Sequence, residues 1–144
     1  DRVFSDDATV DLGDRQLRLA YLGRGHTDND IVIDVPDGGV LFVGDLLEND
    51  AAPGYGDAYP RAWAETVMDR LLPLVRSAIV PGHGAVGDRA FVEAQAADLA
   101  TMAELGALLA AGALDEEEAI RRAPFPVATA RTALSQGLAE LGAG

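Results

Sequence analysis

His26 and His83 are the only histidines among 144 residues. Each stands directly behind a glycine and just past an apolar run, in GRGHTDND and IVPGHGAVGD. A third apolar run, VLFVG, ends at Asp45. Imidazole and carboxylate are ordinary ligands of Zn²⁺, and a catalytic zinc keeps one coordination position open for water. The intervals from 26 to 45 and from 45 to 83 are too long for a local zinc knuckle. They suit a site assembled from the ends of separate strands. A glycine before each candidate lets the backbone turn sharply and approach closely. One Gly-His pair alone is an ordinary turn, and an aspartate after a strand often only caps the next one. The shared placement of all three is what points to a metal. Thr27, Asp28, Asn29 and Asp30 follow His26 and either brace its ring from behind or simply cap the turn.

Strands must carry these residues to a common edge. RQLRLAYL alternates, with Leu17, Leu19 and Tyr21 on one face. DIVIDV and GGVLFVGDLL are β-branched and aromatic runs joined by the turn PDGG, a hairpin within a buried sheet. SAIVPGHG returns to a strand and a turn. Between them, Pro60 suits a first helical position, and Trp63, Val67, Leu71 and Leu74 recur at helical spacing. Tyr55 and Tyr59, on the glycine-rich loop before Pro60, either face a substrate or are simply exposed loop tyrosines.

From Asp88 onward the text is alanine-rich and helical, with Val92, Leu99, Met102, Leu105 and Leu109 on one face and Gly112 ending it. Asp115 is a candidate N-cap with Glu118 three residues on, and acids and arginines fill opposite ends of that short helix. A final helix from Thr129 carries Leu134, Leu138 and Leu141 on one side. Strands followed by helices make an α/β layer architecture.

Composition narrows the function classes. The net charge is −13, and all 11 cations are arginines. Such a surface excludes a polyanionic partner such as nucleic acid and gives no basic stripe for an anionic membrane. There is no cysteine, so thiolate metal sites and disulfides are absent. No run approaches the ~18 apolar residues of a membrane span. The location is read as cytoplasmic by default, with any signal lying upstream.

The order GHTDND, VLFVGDLL, YGDAYPRAW, IVPGHG resembles the second half of metallo-β-lactamase-fold hydrolases, across roughly residues 10–90. The resemblance implies half of an αββα sandwich: a mixed sheet with covering helices over residues 1–98, and a helical C-terminal extension over 99–144 packed on the same domain. It implies that His26 is the third ligand of a first zinc, Asp45 the bridging carboxylate with a catalytic part, and His83 a ligand of the second zinc. Two zinc ions would turn a water into hydroxide that attacks an ester, thioester, lactone or amide of a small-molecule substrate.

The family's first-half motif, His-x-His-x-Asp-His, is not in this chain. The chain is therefore read as the C-terminal part of a longer protein whose N-terminal half carries that motif. By itself it should have a partial site and little activity. The zinc β-lactamases commonly have cysteine where Asp45 stands and, three positions on, a lysine for the substrate carboxylate; this chain has Glu48 there, which would repel it. Their loop asparagine corresponds to Gly54. An aspartate bridge is instead the pattern of glyoxalase-II-like thioesterases, lactonases and general hydrolases. The competing reading is a non-catalytic domain that completes its sheet by homo-oligomerisation or by pairing with another chain, because a half sandwich leaves one sheet face bare.

Overall fold

The computed structural model describes residues 3–142; residues 1–2 and 143–144, the outermost positions of the two expected stretches, lie outside the described residues. Five strands run in spatial order β1 (Asp7–Asp11), β2 (Gln16–Tyr21), β3 (Ile31–Val35), β4 (Val40–Glu48) and β5 (Ala78–His83). The first four pair antiparallel and β5 joins β4 in parallel, so the sheet is mixed. The expected hairpin is β3–β4, turning through Pro36–Gly39. The parallel return to β5 requires a crossover, and residues 49–77 provide it.

That crossover begins as a loop and becomes helix α1 (Pro60–Glu65) with Pro60 in its first turn. Its backbone then widens to π-helical bonding over Thr66–Leu71 and tightens to a 3-10 turn over Leu72–Leu74. After β5 come α2 (Arg89–Ala110), α3 (Glu116–Arg122) and α4 (Val127–Gly142). Asp88 caps α2 by accepting from the Phe91 N–H, and Asp115 caps α3 by accepting from the Glu118 N–H. Each satisfies one of the orphan donors at a helix start. Gly112, at φ +67°, lets the chain turn away after α2. Helix α2 runs unbroken through residue 98.

One core lies between the sheet and the helices. It joins Val32, Leu41, Val43 and Ile79 of the strands with Trp63, Val67 and Leu71 of the crossover and Leu99, Met102, Leu105 and Leu134 of α2 and α4. Each aliphatic side chain buried there contributes about 1.5–3 kcal/mol of hydrophobic stabilisation. Two expectations about this layer need correction. The last helix begins at Val127 rather than Thr129, and of the three leucines along its side only Leu134 is buried, Leu138 and Leu141 being 40% and 41% exposed. Tyr55 is buried, not exposed, because its ring stacks between Trp63 and Phe125.

The opposite face of the sheet has no helix over it among the described residues. Side chains alternate along strands, so residues in register form rows across the sheet. Ala8, Leu19, Ile33, Phe42 and Val80 make one such row through all five strands. None belongs to the core, and Phe42 is 43% exposed. Beside it Ile31 and Val10 are also exposed. This is an apolar face left bare.

Candidate metal centre

The β2–β3 loop, the interior of β4 and the end of β5 meet at Asp45 rather than three strand ends. The Nε2 atom of His26 lies 3.9 Å from Asp45 Oδ2, and the Nε2 atom of His83 lies 3.7 Å from Asp45 Oδ1. The two imidazoles thus address different oxygens of one carboxylate. Both separations exceed hydrogen-bond length, so neither ring nitrogen is consumed by the acid it faces. Among the described residues no three His, Asp or Glu side chains close into a ready cage for an ion. The arrangement is an open fan.

Backbone geometry makes the approach possible. Asp45 sits in β4 beside a break in the parallel register with β5, where Gly44 adopts φ +54°, a region costly for residues with a Cβ. Opposite it, a Cβ on Gly82 would come within 1.8 Å of Asp45 Oδ1. The glycine before His83 is therefore a slot for the carboxylate. His83 is held through its backbone, whose carbonyl accepts from the Asn49 N–H at 3.0 Å, while its side chain is 69% exposed.

His26 is held more tightly. Its Nδ1 lies 3.0 Å from the Gly54 carbonyl oxygen. A carbonyl can only accept, so Nδ1 carries the proton and Nε2 keeps the lone pair in the neutral ring. Trp63 packs edge-on against the imidazole with centroids 5.7 Å apart, and its indole N–H donates to the Leu46 carbonyl at 3.0 Å. A buried indole thereby ties the His26 ring to the strand that carries Asp45.

The residues after His26 serve the turn. The Thr27 N–H donates to Asp30 Oδ2, and the Thr27 hydroxyl lies 2.9 Å from both Asp30 Oδ1 and Asn29 Oδ1. Asp28 is exposed. The partner of the second His26 nitrogen is the Gly54 carbonyl. A further residue, Gln95 of α2, went unnoticed in the sequence. Its amide accepts from the Glu48 N–H at 2.9 Å and donates to the Glu48 carbonyl at 2.7 Å. It fixes the end of β4 three residues beyond Asp45. The signal was present, since Gln95 falls on the buried face of α2 between Val92 and Leu99.

Glu48 itself turns toward this loop, its Oε1 3.4 Å from the Gly54 N–H. Two neutral imidazoles and a carboxylate are a suitable donor set for zinc, and the free Nε2 of His26 fits that use. Three donors fall short of the four that even one zinc takes.

Known proteins share this organisation. A family model described as the metallo-beta-lactamase superfamily matches residues 1–83, a span that contains His26, Asp45 and His83. A metallo-beta-lactamase type 2 of Bacteroides fragilis is 37% identical over 95 residues, covering 62% of this chain and 38% of that protein. One of Bacillus cereus is 34% identical over 84 residues, covering 54% of this chain and 32% of its own length. The solved metallo-beta-lactamase from Pontibacter korlensis superposes with a TM-score of 0.62 at 29% identity, covering 67% of this chain and 46% of that one. The chain thus spans less than half the length of these relatives.

Proposed function

Since this chain belongs to the metallo-β-lactamase superfamily, we propose that it is the portion of a zinc-dependent hydrolase that contributes His26, Asp45 and His83 to a two-ion centre. The observation that carries this reading is the fan at Asp45, with one imidazole nitrogen facing each carboxylate oxygen. Asp45 would bridge the ions and offset their mutual repulsion. His26 and His83 would each hold one as neutral ligands, His26 oriented by its bond to the Gly54 carbonyl. Zinc, when bound, supplies Lewis acidity and lowers the pKa of water toward ~7. The remaining donors would come from a preceding half-domain carrying the His-x-His-x-Asp-His motif.

The substrate is a small ester, thioester, lactone or amide with no carboxylate directed at this side. The support is Glu48, whose side chain lies against the Gly54 N–H beside His26 and would repel an anion. The bare row through Leu19, Ile33, Phe42 and Val80 supports a covering half-domain, since large exposed apolar patches are usually covered in use. The same row favours a second reading, in which two copies of a non-catalytic chain cover each other.

Expressing the chain together with its upstream coding segment tests both. The first reading expects a monomer of roughly twice this length that holds two zinc ions, hydrolyses a neutral ester, thioester or lactone, and loses zinc in Asp45→Asn. A longer protein that retains no zinc, or an Asp45→Asn variant with unchanged zinc content, would overturn it. A stable zinc-free dimer of the 144-residue chain would establish the second.

A further inference from the structure

A cleft of about 480 Å³ opens at the start of the His26 loop, lined by Arg24, Tyr59, Arg61, Thr66, Asp69 and Arg70 among others. In a chain with a net charge of −13 and only 11 cations, three arginines gather on one cavity and balance its three acids, Glu65, Asp69 and Glu140. Ion pairs occupy Arg15, Arg61, Arg76, Arg89, Arg121 and Arg131. Among the described residues Arg18, Arg24, Arg70 and Arg122 hold none, and of these Arg24 and Arg70 face this cleft.

Arg24 is held in place without being neutralised. Its guanidinium lies 4.8 Å from the Tyr59 ring centroid, a stacked position that leaves the charge and the N–H groups in its plane available. Its carbonyl accepts from the buried Thr66 hydroxyl at 2.8 Å, and the next carbonyl, of Gly25, accepts from the Tyr59 N–H at 2.9 Å. Thr66 opens the π-helical stretch that also carries Arg70.

Two of the lining carboxylates are already engaged. Glu65 pairs with Arg61 at 2.8 Å, and Glu140 accepts from the backbone N–H groups of Arg61 and Ala62 at 2.9 and 3.1 Å. Asp69 is the carboxylate an incoming anion has to avoid.

We propose that this cleft binds a small, multiply charged oxyanion, of phosphate or carboxylate type, between Arg24 and Arg70. Guanidinium groups present paired donors that match the oxygens of either type. The volume lies within the range of small-molecule sites. The site is separate from the Asp45 fan and needs no metal.

The test is a titration of the metal-free ¹⁵N-labelled chain with pyrophosphate, and separately with citrate, at constant ionic strength. The arginine Nε–H cross-peaks are followed by NMR. Saturable movement of the Arg24 and Arg70 peaks is expected for at least one probe, with Kd of about 1 mM or tighter; the tighter probe identifies the anion type. Arg24→Gln and Arg70→Gln should each weaken binding about tenfold. Asp69→Asn should strengthen it, and Arg122→Gln, distant on α3, should leave it unchanged. No saturable movement with either probe would overturn the proposal. Equal weakening by Arg122→Gln would do so as well.

Discussion

Gly82 and Asp45 share one space: a Cβ at position 82 would lie 1.8 Å from Asp45 Oδ1 and 2.9 Å from its backbone nitrogen. The carboxylate that faces both histidines is set by the absence of a side chain on the neighbouring strand. Gly82→Ala should therefore push Asp45 out of the fan and strain the β4–β5 pairing. Overpacking of this kind costs about 1–3 kcal/mol, measurable by urea denaturation. Under the proposed two-ion centre, the same variant in a chain extended by the proposed preceding half-domain should lose at least about tenfold in zinc affinity, read by chelator competition. Wild-type values in both measurements would show that the slot is dispensable.

Gln95 binds both backbone groups of Glu48, giving and taking one hydrogen bond each. Gln95→Leu keeps the apolar surroundings of α2 but removes both partners. Leaving a buried backbone group unpaired costs about 1–3 kcal/mol; these two are part-buried, so a loss of about 1 kcal/mol or more is expected. Faster amide exchange at Glu48 would locate the damage. A variant as stable as wild type, with a protected Glu48 amide, would refute this role.

Much of the scaffold was legible because glycine and proline punctuate it. The apolar runs ending at His26, Asp45 and His83 stop where the backbone needs glycine, and Pro60, Asp88 and Asp115 mark helix starts by local chemistry alone. The partner of His26 Nδ1 was not legible, because it is the main-chain carbonyl of Gly54, which no residue type announces. Tyr55 was misread for another reason. Its burial depends on Phe125, 70 positions away on the α3–α4 connection, and no local pattern encodes that contact.

The neutral ring of His26 should exist as the Nδ1–H tautomer, since Nδ1 faces a carbonyl at 3.0 Å and, among the described residues, Nε2 makes no hydrogen bond. Long-range ¹H–¹⁵N correlation on the metal-free chain at alkaline pH distinguishes the two forms. His83, without such a bond, is expected to show a mixture. A dominant Nε2–H form at His26 would mean that the Gly54 contact does not orient the ring.

Among the described residues the buried Tyr55 hydroxyl has no hydrogen-bond partner. Burial first, and then the negative charge of Asp98, push this phenol above the usual tyrosine range, so it stays neutral under ordinary conditions. Tyr55→Phe removes an unsatisfied polar atom while keeping the ring contacts with Trp63 and Phe125. It should raise stability by up to about 1 kcal/mol. A clear loss would reveal a partner for the hydroxyl.

Burial also raises the pKa of Asp98 above its ordinary value. Between the unfolded and folded values the native state then binds more protons than the unfolded chain. By linkage, stability falls as pH rises through that window, which opens near the unfolded aspartate value of ~3.9. The contribution is fully present below the window and lost above it. Asp98→Asn should flatten this slope and make the chain more stable than wild type at neutral pH, where the wild-type carboxylate is charged. Denaturation midpoints measured from pH 3.5 to 7 on both proteins decide the matter: a difference that grows with pH supports the shift, and parallel curves reject it.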